Sequence, residues 1–176
     1  MTSQILIAGF GGQGILFSGK LLAYKALSEG KELSWLPSYG PEMRGGTASC
    51  SVTISDESVG SPIIDNPDVL IVMNLPSLDK YEKTVKKGGT IFVDSTLIER
   101  KVERDDVRAF YIPCTKMAQD MGTPNLANII ILGKVLKECP EIGMAGMEDA
   151  LKKVVAKHPG MYEVNLKAVE AGYNYQ

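Results

Sequence analysis

The sequence has a single histidine, His158, and only three cysteines, Cys50, Cys114 and Cys139, widely spaced and in no C-x-x-C pair. A disulfide framework needs an even set of thiols, and a zinc or iron–sulfur site needs clustered thiolates or imidazoles, so none of these is encoded. Each thiol is expected to pack as a small apolar group. His158, just ahead of Pro159-Gly160, belongs at the end of a basic helix as a cap or a solvated group. No apolar run approaches the ~20 residues of a membrane-spanning helix. The run Ile5–Ala8 after Met1-Thr2-Ser3-Gln4 lacks the basic flank of a signal peptide. A cytoplasmic protein with no membrane partner is therefore expected. Excess positive charge is missing as well: the formal net charge is −2 and the isoelectric point lies near 5.5. Binding to nucleic acid by counterion release has no basis here.

What is present is an ordinary globular composition, 44% apolar and 23% charged over 176 residues. That length suits one domain, residues 1–176, burying roughly 70% of the surface of its unfolded chain. Gln4–Gly9 is a short β-prone run ending in glycine, and apolar residues recur at helical spacing from Ile15 to Leu27. Leu33–Leu36 predicts a second strand closed by Pro37, and Thr47–Ser55 a third. The acidic turn Asp56-Glu57-Ser58 suggests that Thr47–Ser55 pairs with Val59–Ile64 as a hairpin. Asp68–Asn74 is nearly all apolar, as in a parallel strand buried on both faces, and Thr90–Asp94 repeats that pattern. Helices are expected at Leu78–Val85, Thr115–Met121, Leu126–Lys137, Met147–Lys157 and Val164–Glu170, with a strand at Ala109–Pro113. The alternation predicts an α/β fold: an open, mostly parallel sheet with helices on both faces and an inserted β-hairpin.

Gly9-Phe10-Gly11-Gly12-Gln13-Gly14 fits G-x-G-x-x-G between the first strand and the first helix. Such a turn brings backbone N–H groups and the positive end of a helix toward an anion. The same glycines also serve a purely conformational role, permitting the turn and close helix packing. A dinucleotide site further requires an acidic residue at the end of the second strand, and this one ends Trp35-Leu36-Pro37. A P-loop reading of Gly14–Leu21 fails because Leu21 stands where a Ser or Thr would hold magnesium. The second constellation is the loop Tyr39-Gly40-Pro41-Glu42-Met43-Arg44-Gly45-Gly46-Thr47, whose Arg44 offers a planar fork for phosphate or carboxylate. A loop after the second strand of an open α/β sheet can reach the glycine turn. Asn74 and Pro76 follow the central strand at the same edge.

Taken together, Gly9–Gly14 and Ser38-Tyr39-Gly40-Pro41-Glu42-Met43-Arg44-Gly45-Gly46-Thr47-Ala48 resemble the signature of the gamma subunit of 2-oxoacid:ferredoxin oxidoreductases. The likeness continues through Ser61-Pro62, Asp68–Leu70, Asn74–Ser77, Gly88-Gly89 and Asn165–Ala168. The loop before Arg44 resembles the 2-oxoglutarate and 2-oxoisovalerate branch. The resemblance implies an enzyme that oxidatively decarboxylates a 2-oxoacid to an acyl-CoA and passes electrons to ferredoxin. This chain has no Gly-Asp-Gly pattern for magnesium and thiamine diphosphate and no cysteine cluster. The resemblance therefore implies a non-redox subunit, inactive alone, with thiamine diphosphate, magnesium and iron–sulfur clusters on alpha, beta and ferredoxin-like delta companions. It implies coenzyme A contact from Gly11, Gly12, Gln13, Gly14, Arg44, Gly45, Gly46 and Asn74, with the domain covering the active site. An orphaned subunit is expected to self-associate as a homodimer through an exposed apolar patch. The competing reading is a stand-alone Rossmann-like nucleotide-binding oxidoreductase.

Overall fold

The computed structural model describes residues 1–39 and 47–176. Six strands form one sheet in the order β2-β3-β1-β4-β5-β6: β1 (Thr2–Phe10), β2 (Glu32–Tyr39), β3 (Thr47–Ser55), β4 (Val69–Val72), β5 (Thr90–Asp94) and β6 (Arg108–Ile112). The run β1-β4-β5-β6 is parallel, and only β3 runs against the rest. Helices are α1 (Ile15–Ser28), α2 (Leu75–Tyr81), α3 (Cys114–Asp120), α4 (Ala127–Glu138), α5 (Met147–Val154) and α6 (Met161–Asn174).

The two-residue period of a strand divides the core. Ile5, Ile7, Val69, Ile71 and Phe92 point to one face, where they meet Leu21 and Leu22 of α1, the apolar side of α4, and residues of α3, α5 and α6. Leu6, Leu70, Val72, Ile91 and Val93 point to the other, under Leu78 of α2, Val85, Ile98 and Val102. Burying each such side chain contributes about 1.5–3 kcal/mol. The central strands are therefore apolar without interruption, as the sequence pattern implies for a sheet covered on both sides. The cover is unequal: five helices lie on the first face, and one short helix with connecting chain on the second.

The expected hairpin exists, but with a different partner. Thr47–Ser55 pairs with β2, with Leu33, Trp35 and Pro37 opposite Ile54, Val52 and Cys50. Residues 59–64 form no strand, and Ile63 is 62% exposed. Leu33 has a core to pack against beside α1, whereas Val59–Ile64 has no apolar face to join. Pro37 does not end β2, which runs on to Tyr39. β2 is the outermost strand, and an edge position tolerates the missing N–H.

Boundaries shift where caps were overlooked. Asn74 accepts a hydrogen bond from Ser77 N at 2.9 Å, so α2 starts at Leu75, with Pro76 in its first turn, rather than at Leu78. The three cysteines are all buried, on β3, at the start of α3 and just after α4. Burial pushes the Cys50 thiol up to about 11 and Cys139 up to about 12, while Cys114, also beside Asp94, stands well above its ordinary value.

Candidate functional site

The glycine turn lies at the carboxyl edge of the sheet, between β1 and α1. Gly12 has φ +93° and Gly14 φ +76°, backbone conformations that L side chains rarely adopt. A Cβ on Gly12 would meet nothing within 4 Å among the described residues, so these leave the turn open above that residue. A Cβ on Gly14 would come 2.4 Å from Asn128 Nδ2, because the Asn128 amide donates to Gly14 O at 3.1 Å. Gly12 therefore leaves room for a ligand, whereas Gly14 leaves room for another part of the protein.

Gln13 ties the turn down. Its Oε1 accepts from Phe10 N at 2.6 Å and its Nε2 donates to Met73 O at 2.9 Å, joining the end of β1 to the end of β4. Both ends of the amide are engaged, so ligand contact at this position falls to the main chain. Gly11 and Gly12 are exposed and Gln13 and Gly14 half-buried. Among the described residues no side chain caps α1 at its N-terminus, and its first turn carries no acidic residue. The partial positive charge of a 14-residue helix is thus left uncompensated beside an open glycine, which suits a phosphate or carboxylate.

Asn74 lies two residues past the end of β4, next to Met73, whose carbonyl Gln13 holds. Its side chain is 2% exposed and holds the first turn of α2, and its Nδ2 has no partner among the described residues. Arg44, Gly45 and Gly46 lie outside the described residues. Their flanks are placed by the sheet: Thr47 is in register with Phe10, and Tyr39 with Ala48, which itself faces Gly9. The segment carrying Arg44 thus leaves and rejoins the sheet at the edge that holds the glycine turn.

The structure also supplies what the sequence concealed. Asn128 lies 114 residues from Gly14 yet fixes its carbonyl, and nothing in the local sequence marks that pairing. Asp94, fully buried at the end of β5, accepts from Thr96 N at 3.1 Å and from the Thr115 hydroxyl, securing the start of α3. The topology bears on the dinucleotide alternative too. In that fold the second strand lies directly beside the first, whereas here antiparallel β3 separates β1 from β2.

Comparison with known proteins accords with this architecture. The chain is 40% identical to the ketoisovalerate oxidoreductase subunit VorA of Methanothermobacter marburgensis, over 98% of the chain but 36% of that relative. The chain thus spans about a third of the length of that curated relative. It is 38% identical to the 2-oxoglutarate synthase subunit KorC of Methanocaldococcus jannaschii, covering 98% of the chain and 93% of KorC. Among solved structures, the gamma subunit of a keto/oxoacid ferredoxin oxidoreductase from Geobacter sulfurreducens superposes with a TM-score of 0.80 at 31% identity, over 97% of this chain and 96% of that one. A 2-oxoglutarate:ferredoxin oxidoreductase from Magnetococcus marinus, with 2-oxoglutarate, coenzyme A and succinyl-CoA bound, has the same fold with a TM-score of 0.88 at 24% identity, over 98% of this chain and 30% of that one. The family model for pyruvate ferredoxin/flavodoxin oxidoreductase matches residues 4–175, and the chain belongs to that family.

Proposed function

We propose that this chain is the gamma-type, non-redox component of a multisubunit 2-oxoacid:ferredoxin oxidoreductase and that its carboxyl edge contacts coenzyme A. The observation that carries the reading is the open turn at Gly12 beside the uncapped start of α1. It offers main-chain N–H groups and a helix dipole, the elements that hold phosphate without a dedicated side chain. Arg44, on the segment rejoining β3 beside Phe10, adds a bidentate donor for a second anionic group. When bound, coenzyme A would accept the acyl group made on the thiamine-bearing companion. This chain's part is to hold the carrier's phosphates and to help exclude water from the reacting centre.

Alpha, beta and delta companions with thiamine diphosphate, magnesium and iron–sulfur clusters complete the reading, with ferredoxin as acceptor in the cytoplasm. Support comes from relatives named as subunits of a ketoisovalerate oxidoreductase and a 2-oxoglutarate synthase. Among the described residues no helix is long and apolar enough to cross a membrane.

The test is anaerobic co-purification of the tagged chain, followed by assay of 2-oxoacid- and coenzyme A-dependent dye reduction with Arg44 intact and as Arg44→Ala. Loss of a charge-assisted contact should raise KM for coenzyme A by about tenfold or more with little change in kcat. An unchanged KM would remove Arg44 from the site. Purification of the chain alone, with tight NAD binding, would replace this reading with the nucleotide-binding oxidoreductase.

A further inference from the structure

The two edges of the sheet are finished differently. β6 is five residues long, with Arg108 over the Phe110 ring and Val102 N donating to the Tyr111 hydroxyl. β2 is eight residues long, and among the described residues no strand pairs with its outer side. Edge strands are ordinarily blunted by charge, by proline or by shortness. Here Glu32, the first residue, is the strand's one charge, and Pro37 its one proline. The adjoining flank of α1 is neutral as well. Gly19 packs against Trp35, which sets Ala23 and Leu27 on that side, whereas Lys20 lies over Tyr24 and Lys25 reaches Ile142 O.

Trp35, the single tryptophan of the chain, stands in the middle of β2 and is 40% exposed. Leu36, on the opposite face of the sheet, is 39% exposed. A Cβ on Gly19 would come 3.0 Å from the indole nitrogen, so the ring is seated nitrogen-inward on α1 and turns its carbon rim to solvent. An aromatic side chain already held by its own neighbours loses little rotamer freedom on docking, and seated aromatics at the centre of a patch carry much of the energy of interfaces.

We propose that this edge is an interface with a second copy of the chain, the two β2 strands antiparallel across a two-fold axis at Trp35. The neutral strip offers a charged partner nothing to pair with, and a two-fold axis makes the strip its own complement. Charge also sets the position of the axis. About Trp35, each Glu32 stands six residues' length from its mate, about 20 Å, well beyond the ~8 Å screening length. It faces the partner's Ser38 instead, whereas an axis at Leu33 would bring the two carboxylates together. Pro37 lacks an N–H, so the contact is made by side chains, indole against indole with Leu36 beside it, rather than by a continued ladder. A strand of this length backed by α1 presents on the order of 500 Å2 per copy, at the low end of specific interfaces, so the dimer should dissociate in the micromolar range. The inference goes beyond the coenzyme A reading and uses none of its residues.

The test reads sedimentation equilibrium and tryptophan emission together on the full-length chain, across a dilution series spanning the micromolar range. The mass should double from 19.1 kDa, and the emission of the sole tryptophan should shift to the blue with the same midpoint. Ser38→Lys, opposite the partner's Glu32 but far from its own, should lower that midpoint by about threefold to tenfold, and Ser38→Glu should raise it. In a Glu32→Lys background the order of the two variants should reverse. Leu36→Lys sets like charges on either side of the axis and should raise the midpoint by about tenfold or more. Both positions are exposed, so the urea midpoint of each variant should stay level and separate lost association from lost folding. A mass that stays at 19.1 kDa throughout overturns the proposal. So does a doubling with unshifted emission, or one indifferent to the Ser38 variants, since either places the contact elsewhere. A chain that stays monomeric yet has its tryptophan shielded in the co-purified assembly gives this edge to a companion chain instead.

Discussion

The two ends of the one sheet are built to opposite rules. At the amino end charges meet and close. Asp68 accepts from Gln4 N at 2.8 Å and pairs with Lys86 at 3.2 Å, the N-terminal ammonium pairs with Asp56 at 3.1 Å, and Arg108 donates to Thr90 Oγ1 and Glu138 O. At the carboxyl end, by contrast, Asn74 Nδ2, Ser77 Oγ and Asn128 Oδ1 are buried without partners among the described residues, and Phe10, Leu75 and Leu97 are 37%, 41% and 46% exposed. Unsatisfied polar atoms and exposed apolar side chains both cost stability. Exposed apolar side chains occur at the amino end as well, with Met1, Leu27 and Ile63 among them, and Thr53 Oγ1 is orphaned there, so the feature particular to the carboxyl end is that Asn74 and Asn128 carry orphaned atoms beside the glycine turn.

The largest expected effect breaks the carboxyl end at the turn. Gly14→Ala imposes a left-handed backbone on alanine and drives its Cβ against Asn128, so a loss of about 3 kcal/mol is expected from the two costs together. Gly12→Ala imposes only the backbone cost, about 1 kcal/mol, since its Cβ meets nothing. Urea denaturation of both variants reads the difference. Equal losses would show that Asn128 does not lock the turn.

The next effect lies toward the amino end, where the last turns of α1 are strapped to the chain after α4. Lys25 is fully buried, with Nζ donating to Glu29 at 2.7 Å and to Ile142 O at 2.6 Å. Lys25→Met leaves both acceptors short of a partner and should cost about 2 kcal/mol, less than for a fully buried pair because Glu29 keeps some solvent contact. Desolvation outweighs the Glu29 hydrogen bond and holds the Lys25 pKa below 10.5. Below the folded-state value both states carry the proton. Between that value and 10.5 only the unfolded chain does, so wild-type stability from this group rises with pH across that window. The gap between wild type and Lys25→Met should therefore widen as pH is raised toward 10.5. A gap that narrows would reverse the sign of the shift.

A smaller effect is expected from Asp68→Ala, which removes the acceptor of Gln4 N and the partner of Lys86. The side chain is 36% exposed, so the ion pair adds little and the loss should be about 1 kcal/mol, falling only slightly in high salt. A loss erased by salt would make the pair, rather than the backbone hydrogen bond, the main contribution.

These two ends were not equally legible in the sequence. The apolar runs at Ile5–Ala8, Val69–Val72 and Thr90–Asp94 declare buried parallel strands, and the glycine turn declares itself by position, because both signals are local. The pairing of β3 was misassigned to residues 59–64, since short alternating runs on either side of a turn look alike and only the helix above them decides which is buried. Gln13 stands in the turn as a candidate ligand contact, and its side-chain amide bridges two strands, which leaves its main chain for that role. Asn128 was missed altogether, because a contact across 114 residues leaves no periodicity. The start of α2 was missed for a different reason: Asn74 was read as a site residue, although Asn-x-x-Ser at the end of a strand is also a capping pattern.

The smallest effect is the sharpest test of the contrast. Ser77 is fully buried in the first turn of α2; its N–H is taken by Asn74, while its hydroxyl has no partner among the described residues. Ser77→Ala removes that hydroxyl and keeps the backbone bond, and alanine is the better helix former. Stability should therefore stay level or rise by about 0.5–1 kcal/mol, against the usual direction for a substitution at a buried site. Paired with Asp68→Ala in one denaturation series, it sets a polar group that costs stability against one that contributes it. A loss on removing the Ser77 hydroxyl would mean that it is satisfied after all, and the carboxyl end would then be closed like the amino end, with the case for a ligand resting on the open Gly12 turn alone.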